Sequence, residues 1–87
     1  MPRSRVNIVS DILEAVRDEE NCKKTRIIRL ANLDWDMAVK YLNVLVGDGF
    51  LETDENDAKG NEVYRLTEKG ELFLQAVRKL RRVCSIL

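Results

Sequence analysis

Side chains able to do covalent or acid–base chemistry are sparse in this chain. None of its 87 residues is histidine, which removes the commonest general base and the commonest metal ligand. The two cysteines, Cys22 and Cys84, have no companion ligands at metal-binding spacing, and no serine, threonine or cysteine has a basic partner at motif spacing. Carboxylates are plentiful, but they stand in strongly charged stretches rather than isolated in apolar sequence. No enzyme, metal site or cofactor is expected. The chemistry the chain does offer is that of cations and amides. Lys23, Lys24, Arg26 and Arg29 crowd one short segment around Thr25, Arg3 and Arg5 stand near the N-terminus, and Lys40 and Asn43 are three positions apart. Cations of this kind neutralise phosphates, a lysine can pair with guanine, and an asparagine can make the two-pronged contact that adenine offers in the major groove.

Each of these residues also has a plainer reading. Lys24, Arg26, Lys40 and Asn43 can be simply solvated, and Arg3 and Arg5 can pair with carboxylates of the same fold. Trp35 can pack against the core rather than stack on a sugar or base. The chain holds 15 basic and 15 acidic side chains, a balance that argues against a uniformly basic footprint. Distribution carries more information. Residues 1–33 hold 7 basic and 5 acidic groups, residues 34–62 hold 2 and 8, and residues 63–87 hold 6 and 2.

The elements that must position these residues follow from periodicity. Val6, Val9, Leu13 and Val16, with Ile12, recur at helical steps, so residues 5–19 are expected to form an amphipathic helix capped by Ser4. Ile27, Ile28, Leu30 and Ala31 mark a short second helix from residue 24 or 25 to 31, with Thr25 as a candidate cap. After the turn Asn32-Leu33-Asp34, Asp34 is placed to cap a third helix over residues 35–46, which Gly47-Asp48-Gly49 stops. Residues 50–53 and 63–66 read as two strands of a hairpin with a long polar tip, and Thr67 opens a last helix over residues 68–85.

The order helix, helix, helix, strand, strand, helix predicts a mainly α (α+β) fold of the winged helix-turn-helix type, whose second motif helix enters the major groove. On the third helix Ala38, Tyr41, Leu42, Leu45 and Val46 face the core, with Asp36, Lys40 and Asn43 opposite and Met37 and Val44 flanking. Lys59 and Arg65 are the wing's candidates for phosphate, but Glu52, Asp54, Glu55 and Asp57 surround them. Such a wing either turns its acids away from a duplex or engages a protein partner. A protein-interaction module with little DNA affinity is therefore the alternative function.

Phe73, Val77, Leu80, Cys84 and Leu87 follow steps of four, three, four and three, the spacing of a coiled-coil seam, and Leu72, Ala76 and Val83 add a second stripe. One stripe can cover the core while the other packs against a second copy, in parallel or antiparallel pairing, giving a homodimer. Residues 1–66 are then the winged domain and residues 67–87 a dimerisation helix continuous with it. Cys84 reads as a small buried apolar residue or an interchain disulfide, and Cys22 as a loop thiol. Hydrophobic residues make up 45% of the chain and charged ones 34%, as in a helix-rich globular protein. No apolar run approaches bilayer length, and residues 1–5 lack an apolar secretion stretch, so the expected place is the cytoplasm, at the nucleoid, with no membrane partner.

Across nearly its full length the chain resembles the archaeal small winged-helix proteins of the ten-kilodalton chromatin-associated type. The blocks that carry the likeness are Arg3-Ser4-Arg5, Asp11-Ile12-Leu13, Lys24-Thr25-Arg26-Ile27, Asn32-Leu33, Tyr41-Leu42, Gly49-Phe50-Leu51 and Tyr64-Arg65-Leu66-Thr67-Glu68-Lys69-Gly70. The resemblance implies an archaeal source, a dimer joined through the last helix, two recognition helices presented to double-stranded DNA, and a role in transcription or DNA architecture. The chain departs from the family's tendency at Asp34, where Ser or Thr is commoner, at Asp36, and in its acidic wing.

Overall fold

The computed structural model describes residues 4–19, 22–55 and 62–84. Four helices and three strands follow one another as α1 (Arg5–Asp18), β1 (Cys22–Lys23), α2 (Lys24–Ala31), α3 (Trp35–Gly47), β2 (Leu51–Glu55), β3 (Glu62–Leu66) and α4 (Glu68–Val83). The expected helices are all present, with ends shifted by one or two residues. The Ser4 hydroxyl accepts from the amide of Asn7 at 3.1 Å and so caps α1.

One strand was not anticipated. Cys22 and Lys23 pair antiparallel with Tyr64 and Val63, so the sheet has three strands in the order β1-β3-β2. Two residues are too few for an alternating pattern, and their partner lies some forty positions away, so nothing local marks them. This strand corrects the reading of Cys22 as a loop thiol: its side chain is 2% exposed and belongs to the core. Thr25 is likewise not a cap. Lys23 occupies the N-cap position of α2, with no side-chain bond to the helix, because β1 runs directly into the first turn.

α1 lies at the centre, sending Ile8, Ile12, Leu13 and Val16 against Ile27 and Ala31 of α2, Leu42 and Leu45 of α3, Leu51 and Tyr64 of the sheet and Leu74 of α4. Burying each large aliphatic contributes roughly 1.5–3 kcal/mol. The one buried polar side chain among the described residues, Ser10, donates its hydroxyl to the Val6 carbonyl at 2.7 Å.

Two tight helix ends set the angles of the helix-turn-helix. α2 stops at Asn32, whose φ of 54° is left-handed, and the Leu33 amide bonds back to the Ile28 carbonyl at 3.0 Å. α3 stops the same way at Gly49, with φ of 84° and a bond from the Phe50 amide to the Leu45 carbonyl at 2.9 Å. Thr67 and Lys69 then tie α4 to this corner, donating to the carbonyls of Gly49 at 2.6 Å and Asp48 at 2.7 Å. Among the described residues no helix is long and apolar enough to cross a membrane.

Candidate nucleic-acid interface

Most of the expected contact residues fall on β1, α2 and α3: Lys23 on β1, Lys24, Thr25 and Arg26 on α2, and Trp35, Lys40 and Asn43 on α3. Asp34 opens α3, its carboxylate accepting from the Met37 amide at 2.8 Å, and its charge suits the positive end of the helix dipole. With Ala38, Leu42 and Leu45 buried, helical geometry sends Asp36, Lys40 and Asn43 outward, and all three are exposed.

Trp35 also begins α3, but it is 56% exposed and does not pack into the core. Instead the Lys24 ammonium stands 5.5 Å from its ring centroid, a cation–π contact that holds the start of α2 against the start of α3. At an exposed site this is worth about 0.5–1 kcal/mol. Arg26 is engaged too, donating to Glu19 through Nε at 3.2 Å and a terminal nitrogen at 2.9 Å. Arg29 and Thr25 are exposed on the same helix, and Lys23 is exposed on β1. Arg5, the first residue of α1, shares with Lys40 the rim of a groove of about 340 Å³ between α1 and α3.

On the wing, Arg65 reaches across the hairpin to Asp54 at 3.2 Å and Glu52 at 3.7 Å, so two of the wing's acids are answered from within the chain. The register that pairs Glu52 with Arg65 makes this contact directly cross-strand. Exposed pairs of this kind contribute only about 0–1 kcal/mol. Arg3, Lys59 and Leu87 lie outside the described residues.

The last helix separates its two stripes differently from the expected seam. Val77 is 4% exposed in its own core, beside Leu74, and Phe73 packs on that core with its ring edge-on to Phe50 at 5.5 Å. Cys84 is half-buried at the helix end. Leu80 is 50% exposed and stands on one strip with Leu72 and Val83, at 58% and 84%. Phe73 and Val77, expected on the seam with Leu80 and Cys84, cover the chain's own core instead; the two stripes have nearly equal apolar content, so periodicity alone does not choose between them. Only the approach of α1 and Phe50 decides which turns inward. On the inward side Arg81 donates to the Asn7 side chain at 2.8 Å and fixes α4 to α1.

Burial pushes the Cys22 thiol up to about 11, with the Glu19 charge adding and Arg26 opposing, and burial followed by Glu62 raises the Tyr64 phenol. Among the described residues no group of acids and cysteines is placed to hold a metal.

A family model described as winged helix-turn-helix matches residues 2–85. Among solved structures, Sso10a-2, a DNA-binding protein from Sulfolobus solfataricus, superposes with a TM-score of 0.80 at 31% identity, over 93% of this chain and 81% of that one. Two uncharacterised proteins of Methanocaldococcus jannaschii are also similar. One is 37% identical over 81 residues, covering 93% of this chain but 35% of the relative, so the chain spans about a third of that protein. The other is 33% identical over 83 residues, covering 95% and 78%.

Proposed function

The chain belongs to the winged helix-turn-helix family, and from that membership we propose that it binds double-stranded DNA as a homodimer, with α3 in the major groove, as a transcription regulator or architectural protein of the nucleoid. The observation that carries this reading is the outward face of α3, where Lys40 and Asn43 stand exposed and Lys40 shares a groove with Arg5 of α1. Lys24, Arg29, Lys40 and Arg5 serve the phosphates, while Asn43 meets a base edge. The likeness to a DNA-binding protein at 31% identity supports it. The family also agrees with the expectation of a binding protein rather than an enzyme.

Dimerisation uses residues 67–87, with Leu72, Leu80 and Val83 facing the second copy. Those side chains are too large and too aligned to leave in water on a 16-residue helix whose other face is already buried.

Fluorescence anisotropy of a labelled mixed-sequence duplex, at low and at moderate salt, tests the reading. Tight binding that weakens steeply with salt is expected, and Lys40→Ala should weaken it without altering the sedimentation of the dimer. Absence of binding at both salts would refute duplex recognition. Leu80→Asp and Val83→Asp should shift sedimentation to the monomer; a dimer intact in both would refute the proposed face.

A further inference from the structure

We propose that α3 reads thymine through its C5-methyl group, with Val44 and Met37 as the contacting side chains, so that the preferred duplex is rich in A·T pairs. The inference rests on the duplex-binding reading above. The core side of α3 is filled by Ala38, Leu42 and Leu45, yet Met37 and Val44 remain 40% and 53% exposed. They are seven residues apart, two turns along one strip of the helix and roughly 10 Å along its axis, with Lys40 between them. Valine is a mediocre helix former at a solvent position, so neither helix propensity nor core packing accounts for Val44.

A lone exposed apolar residue needs no explanation, and the case rests on what surrounds this one. Val44 forms a wall of the 340 Å³ groove between α1 and α3, together with Val9, Tyr41 and Leu45. Arg5 and Lys40 stand at the same groove, no acid lines it, and neither cation is in an ion pair among the described residues.

An occupant must therefore bring small apolar groups bordered by negative charge. A second copy of this chain does not match, because its exposed apolar strip on α4 runs beside Arg78, Lys79 and Arg82. The major groove of A·T-rich DNA does: thymine methyl groups project into it between two rows of phosphates. Asn43, exposed next to Val44, has an amide that can donate to adenine N7 and accept from its N6 amino group, so both bases of such pairs have a reader on one turn of helix.

Two duplexes of alternating A·T sequence, one with thymine and one with uracil throughout, have the same phosphates and the same pairing and differ only in the methyl groups. Wild-type protein should bind the uracil duplex at least about fourfold more weakly at moderate salt, the worth of one buried methyl-sized group. Val44→Ala should lose several-fold on the thymine duplex, and the thymine-to-uracil ratio should fall towards one in Met37→Ala/Val44→Ala. The slope of affinity against salt should not change, because no phosphate contact is removed. Both side chains are substantially exposed, so circular dichroism and sedimentation should match wild type. Equal affinity of wild type for the two duplexes overturns this inference alone, as does an undiminished ratio in the double variant. No affinity for either duplex at any salt overturns the duplex-binding reading and this inference with it.

Discussion

Gly70→Ala tests the packing that sets the wing against the helix-turn-helix, and its sign is not the one helix propensity gives. In a helix interior, glycine to alanine ordinarily stabilises by about 0.5–1 kcal/mol. Gly70, however, is buried in the first turn of α4, and a Cβ there would press on the backbone oxygen of Phe50 and come within 2.6 Å of Leu66 Cδ1 and 3.2 Å of its Cγ. Ordinary carbon contacts begin near 3.5 Å, so the strand entrance and the helix must separate by about 1 Å. Separation is resisted, because the same Phe50 oxygen accepts from the Thr67 amide at 3.2 Å and Thr67 Oγ1 accepts from the Gly70 amide at 3.1 Å. Overpacking of about 1–3 kcal/mol together with a loosened hydrogen bond of about 1 kcal/mol exceeds the propensity gain. The net loss is about 1–3 kcal/mol, and a domain of this size should melt roughly 5–20 °C lower. Thermal unfolding by circular dichroism at one fixed protein concentration measures it, the concentration being held because the stability of the proposed dimer would depend on it. Gly47→Ala is the control: an added Cβ meets nothing within 4 Å, so it should be neutral or stabilising. A Gly70→Ala protein melting at or above wild type would refute the close approach of α4 to Phe50.

Asp34→Ala removes the bond to the Met37 amide and should cost about 0.5–2 kcal/mol in urea unfolding, while Asp34→Asn should retain most of that stability; equal losses in both would point away from capping. The raised Cys22 pKa makes a signed prediction. With the folded thiol near 11 and the unfolded one near 9, the folded state holds the proton longer, so its contribution to stability is complete below about pH 9 and is lost as pH rises towards 11. Urea midpoints from pH 8 to 11 should fall in wild type more than in Cys22→Ala. Arg26→Ala should lower the salt slope of DNA binding by about 0.9 for each phosphate the arginine meets in the complex; an unchanged slope would mean that Arg26 stays with Glu19.

The helices were legible because each carries its signals within a few residues. Ser4, Asp34 and Thr67 cap as their side-chain chemistry requires, and the third helix stops at Gly47-Asp48-Gly49 as expected, with Gly49 in the left-handed region. What failed to show depends on residues distant in sequence. β1 exists only because Tyr64 and Val63 present an edge to Cys22 and Lys23. Trp35 by its size and its place beside the apolar face could pack on the core or stack on a sugar or base, and its exposed position against Lys24 of the preceding helix involves a contact between elements that periodicity does not show. The two apolar stripes of α4 are equally good candidates for the core until α1 and Phe50 arrive on one side. On the candidate interface, Lys40 and Asn43 could be placed by periodicity alone, whereas the engagement of Arg26 with Glu19 and of Arg65 with Glu52 and Asp54 could not, since each joins different elements.

Those internal pairs bear on how a chain of zero net charge can meet a polyanion. If every cation were matched by an acid of the same fold, phosphates would have to compete for all of them. Here the matching is selective. The acids Glu52 and Asp54 are held by Arg65 on the hairpin, while among the described residues Arg5 and Lys40 are in no ion pair and the α1–α3 groove they share is lined by no acid. The acids of the middle third stand mostly in the hairpin segment, with Asp34 and Asp36 at the start of α3 and Asp48 at its end, and Asp34 is occupied in capping. The cations left to a polyanion in the proposed complex are those of α2 and the Arg5–Lys40 pair at the α1–α3 groove, and the acids of the wing would disfavour poses that lay the hairpin on the backbone. In the proposed complex, a pose fixed by attraction on one side and repulsion on the other would need fewer phosphate contacts than a uniformly basic surface, and the outward residues of α3 would then carry more of the discrimination.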